Sequence, residues 1–142
     1  MIGVDASPEM LDVARLRVEE ALLPNTELRL GTLEHLPLGD GEADTMVANM
    51  VLHHVADVPP VLREIRRALS PGGRLLIADL QEHTDEAFWS ALGAQWPGFR
   101  LGDLQTWLAQ AGFGEIRFDT GPFPDAADRP PLFVAEARIA PA

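Results

Sequence analysis

Apolar positions in this chain follow two alternating rhythms, short unbroken runs and stripes three or four residues apart, so strands and helices succeed one another. Met1–Val4 is a short apolar run that meets an acidic residue, Asp5, at a turn. Ser7-Pro8-Glu9 supplies a hydroxyl cap, a proline at the first helical position and a carboxylate at the positive dipole end, which predicts a helix start. Met10, Ala14, Val18 and Ala21, with Leu11 and Leu22 beside them, form the stripe of that helix, and Pro24-Asn25 closes it. Thr26–Leu30 reads as a strand, Gly31–Gly41 as a loop, and Ala43–Met50 as a buried strand.

The second half repeats the alternation. Asp57 caps a helix whose stripe is Val58, Val61, Leu62, Ile65, Ala68 and Leu69, with Arg63, Glu64, Arg66 and Arg67 facing out. Ser70-Pro71-Gly72-Gly73 is expected to end it, and Arg74–Leu80 to run as a strand with Asp79 near its C-terminal end. Asp85–Gln95 and Asp103–Ala111 read as helices, Gly112 caps the latter, and Glu115–Phe118 and Leu132–Arg138 read as a closing pair of strands around a proline-rich loop, Gly121–Pro131. Alternation of this kind predicts an α/β fold with a mostly parallel sheet, in one domain without a repeat or dividing linker.

Composition narrows the function. The net charge of −11 argues against a nucleic-acid surface, which needs clustered cations. All 11 basic residues are Arg, so no Lys is available as a base or Schiff-base former. The absence of cysteine removes disulfides, thiolate metal sites and thiol nucleophiles. No apolar run approaches the ~20 residues of a membrane span. No export leader opens the chain, and a cytoplasmic location is expected.

In open α/β sheets ligands bind beyond the carboxyl ends of the strands, which selects Asp5, Gly31-Thr32, Asn49 and Asp79 as one constellation. Asp5 is the strongest position, because a carboxylate at such a strand end accepts hydrogen bonds from ribose hydroxyls. The competing reading is an Asp that merely caps the helix after it. His53 and His54, being adjacent, point in different directions and are poorly placed to share a metal, and no neighbouring ligand spacing completes a site. Trp89, Trp96 and Trp107 read as core or lid packing that could shape an acceptor pocket.

Five segments in order resemble class I S-adenosylmethionine-dependent methyltransferases of the small-molecule type, near quinone-biosynthesis enzymes and the domains fused to arsenic-responsive repressors. They are Ile2–Leu11, Gly31–Pro37, Ala43–Val55, Leu69–Ile77 and Leu108–Phe113, and the agreement covers roughly residues 1–120. The resemblance implies a Rossmann-like methyltransferase fold, a mostly parallel sheet with a C-terminal antiparallel strand pair. It implies S-adenosylmethionine as cofactor, methyl transfer to a small-molecule acceptor, and no nucleic-acid, membrane or metal partner. Carried over residue by residue, Asp5 holds the ribose, with Ala6 beside it. Met10 packs near the adenine and ribose, Thr32 and Leu33 flank the adenine, and Asn49 and Met50 lie near the methionine part. Thr32 stands where the family often has Asp, which leaves adenine recognition leaning on backbone groups. His53, His54 and Asp79 are candidates for the acceptor side, with a structural hydrogen bond the main alternative for His53. No catalytic residue is assigned, because methyl transfer from a sulfonium chiefly needs alignment and exclusion of water.

The family's first strand and its glycine-rich loop have no counterpart before Ile2. In the family's order that strand lies between the strands matched here by Met1–Val4 and Ala43–Met50. Its absence leaves two central edges unpaired. Three arrangements follow: an upstream start that supplies the strand, a homodimer through the unpaired edges, or direct pairing of the two strands. Two other functional readings stand beside the enzyme: a non-catalytic remnant or regulatory domain that keeps the fold, and a nicotinamide-dependent oxidoreductase, where an acidic residue also serves ribose.

Overall fold

A computed structural model describes residues 1–121 and 130–141, so most of the expected proline-rich loop lies outside the described residues. β1 (Ile2–Asp5) pairs in parallel with β2 (Glu27–Leu30), from Ile2 beside Glu27 to Asp5 beside Leu30. α1 (Pro8–Glu20) makes the crossover between them. Its start is the one expected: Ser7 Oγ accepts the Met10 N–H at 3.2 Å, with Pro8 at the first helical position.

The stripe of α1 is narrower than its sequence suggests. Leu11 is buried and Ala14 and Val18 are half-buried, whereas Met10, Ala21 and Leu22 are exposed. The helix rests on a sheet of two strands, which can cover only a small part of its surface.

The remaining strands form a second sheet in the order β3 (Ala43–Asn49), β4 (Leu69–Leu80), β6 (Leu132–Arg138), β5 (Ile116–Asp119). β3 and β4 are parallel, while β6 runs antiparallel to both β4 and β5. α2 (Val58–Ala68) connects β3 to β4 and buries the expected stripe, with Val58, Val61, Leu62 and Ala68 at 0% exposure. α3 (Glu86–Ala91) is shorter than expected, and α4 (Leu101–Gln110) supplies Leu104 and Leu108 to the same core. Ser70-Pro71-Gly72-Gly73, expected to end the helix, instead lies within β4. α2 passes directly into β4 at Leu69, and the four residues bulge out of the ladder between the Ala43–Leu69 and Thr45–Arg74 pairs. Glycine is needed there: Gly72 has φ 77°, and a Cβ on Gly73 would lie 2.7 Å from the Ser70 carbonyl.

The described residues therefore form two sheets where a single one is expected. β1 bonds only to β2, and β3 only to β4, so the strands do not pair directly with each other. Each keeps an edge whose N–H and C=O groups have no strand partner among the described residues. Val47, on β3, is 67% exposed, unusual for an apolar residue of a strand that pairs with the core strand β4.

Candidate functional site

The C-terminal ends of β1 and β2 and the chain leaving β3 converge on a cavity of about 340 Å³. β1 contributes Val4, Asp5 and Ala6, and the exit of β2 contributes Gly31, Thr32, Leu33 and Glu34. The turn beyond β3 closes it with Val51, His54 and Val55. Parallel pairing is what brings the first two groups together, since it places both strand ends at one edge.

Local chemistry shapes each wall. Asp5 Oδ1 accepts the Ser7 N–H at 2.8 Å, while Oδ2 makes no hydrogen bond among the described residues. Asp5 is therefore both the turn cap and a carboxylate with a free oxygen at the cavity. Gly31 continues the pairing by donating its N–H to the Asp5 carbonyl at 3.0 Å. A Cβ at Gly31 would lie 2.5 Å from Pro37 Cδ, so the loop closes only around a glycine. Beyond it, Thr32 and His35 form an isolated bridge, with the His35 N–H donating to the Thr32 carbonyl at 3.3 Å.

Met50 turns the chain out of β3 with φ 53°, a left-handed conformation costly for a residue with a side chain. Its N–H donates to the Ala78 carbonyl at 2.8 Å, which holds the turn to β4. The single 3-10 turn that follows, Leu52–His54, is fastened from the same strand. Asp79 Oδ2 accepts the Leu52 N–H at 3.0 Å, and Asp79 Oδ1 accepts the Leu80 N–H at 2.8 Å and meets His53 Nδ1 at 2.6 Å.

Of the residues expected at the cofactor, Asp5, Ala6, Thr32 and Leu33 line this cavity. Asn49 and Met50 close β3 nearby without lining it, and Met10, on α1 and 55% exposed, does not line it either. Of the three residues considered for an acceptor, only His54 faces the cavity. His53 and Asp79 are 1% and 0% exposed and are spent on each other and on backbone, so their place is inside the fold. Val4, Glu34, Val51 and Val55 line the cavity without having been assigned a role there. Val51 and Val55 bracket the His pair, and Glu34 lies within the matched segment Gly31–Pro37, signals the sequence held.

A free carboxylate oxygen, a small residue at Gly31 and apolar walls from Val4, Leu33, Val51 and Val55 suit a nucleoside. Sugar hydroxyls can donate to Asp5, and a flat base can lie against the apolar side chains. No group of three or more His, Asp or Glu suited to a metal ion occurs among the described residues.

Residues 1–77 match the family described as "Methyltransferase domain". An arsenite methyltransferase of Halobacterium salinarum is 32% identical over 126 residues, covering 82% of this chain and 31% of that protein. Among solved structures, phosphoethanolamine N-methyltransferase 2 of Haemonchus contortus in complex with S-adenosyl-L-methionine superposes with a TM-score of 0.79 at 18% identity, over 99% of this chain and 43% of that one. The cyclase SpnF superposes with a TM-score of 0.82 at 19% identity, over 99% of this chain and 66% of that one. The chain spans about a third of the length of the curated relatives it matches.

Proposed function

The chain belongs to the methyltransferase-domain family, and on that premise we propose that it carries the S-adenosylmethionine-binding part of an enzyme that methylates a small-molecule acceptor. The observation that carries this reading is that Asp5, with one oxygen free of hydrogen bonds among the described residues, lines an apolar cavity built from two parallel strand ends. Asp5 holds the ribose hydroxyls, Leu33 and Val55 sandwich the adenine, and backbone groups around Thr32 read its edge. S-adenosylmethionine supplies a methyl group already activated as a sulfonium. The chain's own residues bind, orient and keep water away, with His54 and Val51 forming the wall nearest β3. Asn49 and Met50, at the end of β3, are assigned to the methionine part, and Met10 is left with no cofactor contact.

The open edges of β1 and β3 support a single domain whose sheet is completed by one further strand bonded to both. That strand is supplied by polypeptide outside these residues or by a second copy of the chain. The excess of negative charge supports a small acceptor over a nucleic acid. No helix among the described residues is long and apolar enough to cross a membrane. A cytoplasmic setting is part of the proposal.

Calorimetry with S-adenosylhomocysteine tests the reading, on this chain and on a form extended upstream by about 45 residues, roughly one βα unit and a leading helix. Binding by the longer form, abolished or weakened by Asp5→Asn, is the expected result. Binding by neither form overturns it in favour of a non-catalytic domain. Displacement of the ligand by NAD with comparable affinity favours the oxidoreductase.

A further inference from the structure

A second cavity, also about 340 Å³, opens beyond the C-terminal end of β4. Its scaffold is an extension of the sheet. Phe99 donates its N–H to the Leu80 carbonyl at 2.9 Å, and its own carbonyl accepts the Glu82 N–H at 3.0 Å. The two segments are pressed together so closely that a Cβ on Gly98 would lie 2.1 Å from the Gln81 carbonyl oxygen. The walls of the cavity are therefore fixed in place.

Two of those walls are aromatic and meet at a corner. The rings of Trp96 and Trp107 are 5.8 Å apart at 65°, and the Phe99 ring lies 5.9 Å from that of Trp96. Trp96 is held at both ends: its N–H donates to the His53 carbonyl at 3.2 Å, and its indole Nε1 donates to the Val55 carbonyl at 2.8 Å. Val55 belongs to the first cavity, so Trp96 links the two sites.

The rim of the second cavity is acidic on balance. Glu82 and Arg100 are paired at 2.8 Å, and Asp103 also lies in the field of Arg100, although its carboxylate makes no hydrogen bond among the described residues. One Arg against two carboxylates gives this rim a net −1. Aromatic faces carry negative quadrupole density, and an edge-to-face pair of indoles beside a carboxylate that makes no hydrogen bond, on a rim of net negative charge, attracts a soft, weakly hydrated cation. One unpaired carboxylate is too few for a metal ion, which needs several hard ligands.

We propose that the Trp96–Trp107 corner, with Asp103 lining the same cavity, binds an organic ammonium group. On the methyl-transfer reading, on which this last step rests, the ligand is the acceptor, and the class it defines is a small molecule with a cationic amine end. The binding itself is independent of that reading and of any cofactor.

The test is titration of the ¹⁵N-labelled chain with tetramethylammonium chloride, following the indole N–H signals assigned through Trp96→Phe and Trp107→Phe. Sodium chloride serves as the ionic control and tert-butanol as the neutral probe of similar size. Saturable shifts of the Trp96 and Trp107 signals in the range of about 1–10 mM are expected, with the neutral probe at least about tenfold weaker. Asp103→Asn should weaken binding about threefold or more, in keeping with the loss of the net negative charge of the rim. Equal response to tert-butanol, no saturable shift by about 50 mM, or an unchanged affinity in Asp103→Asn overturns the proposal. Because neither probe needs S-adenosylhomocysteine, cation binding that persists when neither this chain nor its upstream-extended form binds the nucleoside refutes the methyl-transfer reading while the ammonium site stands.

Discussion

His53 Nδ1 lies 2.6 Å from Asp79 Oδ1 with both side chains closed off from solvent, and this bond joins the turn after β3 to the end of β4. An ionised Asp79 can only accept, so the imidazole donates from Nδ1. The carboxylate also accepts the N–H groups of Leu52 and Leu80, and three donors converge on it. A buried carboxylate survives without solvent only when its lone pairs are used in this way.

Asp79→Ala strips three buried donors of their partner at once. It should destabilise the chain by about 3 kcal/mol or more, read as a lower urea midpoint. Asp79→Asn keeps the shape but offers one acceptor oxygen, so about 1–3 kcal/mol is expected. A midpoint unchanged in Asp79→Ala would mean that the turn is fastened by packing alone.

Glu64 ties α2 to the loop after β2. Its Oε1 accepts the Leu36 N–H at 2.9 Å and Arg67 Nη2 at 2.8 Å, and Oε2 accepts Arg67 Nε at 2.8 Å. The Arg67 bonds, ahead of the Leu36 N–H, hold its carboxyl below the ordinary value of 4.5. A depressed folded value means that the stabilisation is complete above the unfolded value and is lost as pH falls through the folded one. Glu64→Gln should therefore cost about 1 kcal/mol at neutral pH and flatten the decline below about pH 4.5. Parallel acid branches for the two proteins in urea titrations at several pH values would remove Glu64 from the acid response.

Much of this was legible before the structure, and what was not has a common cause. The cap at Ser7, the stripe of α2 and the bounds of β6 are local, set by residues within a turn of one another. The exposure of Met10 and Ala21 is not local, since the same stripe would be buried under a wider sheet. His53 and Asp79 were each readable as polar residues at strand ends. Their partnership depends on the parallel register that sets Asn49 beside Ala78, which no spacing within either segment encodes. The separation of β1 from β3 was one of several arrangements open to the sequence, because which strand pairs with which is decided by contacts distant along the chain.

Leu22 ends α1 in a left-handed conformation, φ 50°, at the position where glycine usually stands. The motif is complete, with the Leu22 N–H on the Glu19 carbonyl at 3.1 Å and the Leu23 N–H on the Val18 carbonyl at 3.1 Å. The side chain is 83% exposed, so little packing is lost on its removal. Leu22→Gly relieves about 1–2 kcal/mol of backbone strain and gives back part of it as unfolded-chain entropy. A net gain of about 0.5–1 kcal/mol, seen as a higher thermal midpoint, is expected.

Asp5→Asn separates the two roles of that side chain. The amide oxygen can still accept the Ser7 N–H, so α1 keeps its entry turn and the melting temperature should change little. The oxygen without a hydrogen bond becomes an amide donor, which can neither accept from sugar hydroxyls nor carry the charge that strengthens such bonds. Loss of a hydrogen bond to a charged group is worth about 1.5–3 kcal/mol, so S-adenosylhomocysteine affinity in the extended form should fall by about tenfold to a hundredfold. Calorimetry on the two proteins, with their melting curves beside it, reads both effects. A fall in affinity that tracks a fall in stability would make Asp5 a turn residue alone, whereas lost affinity in an equally stable protein places the ribose at its free oxygen.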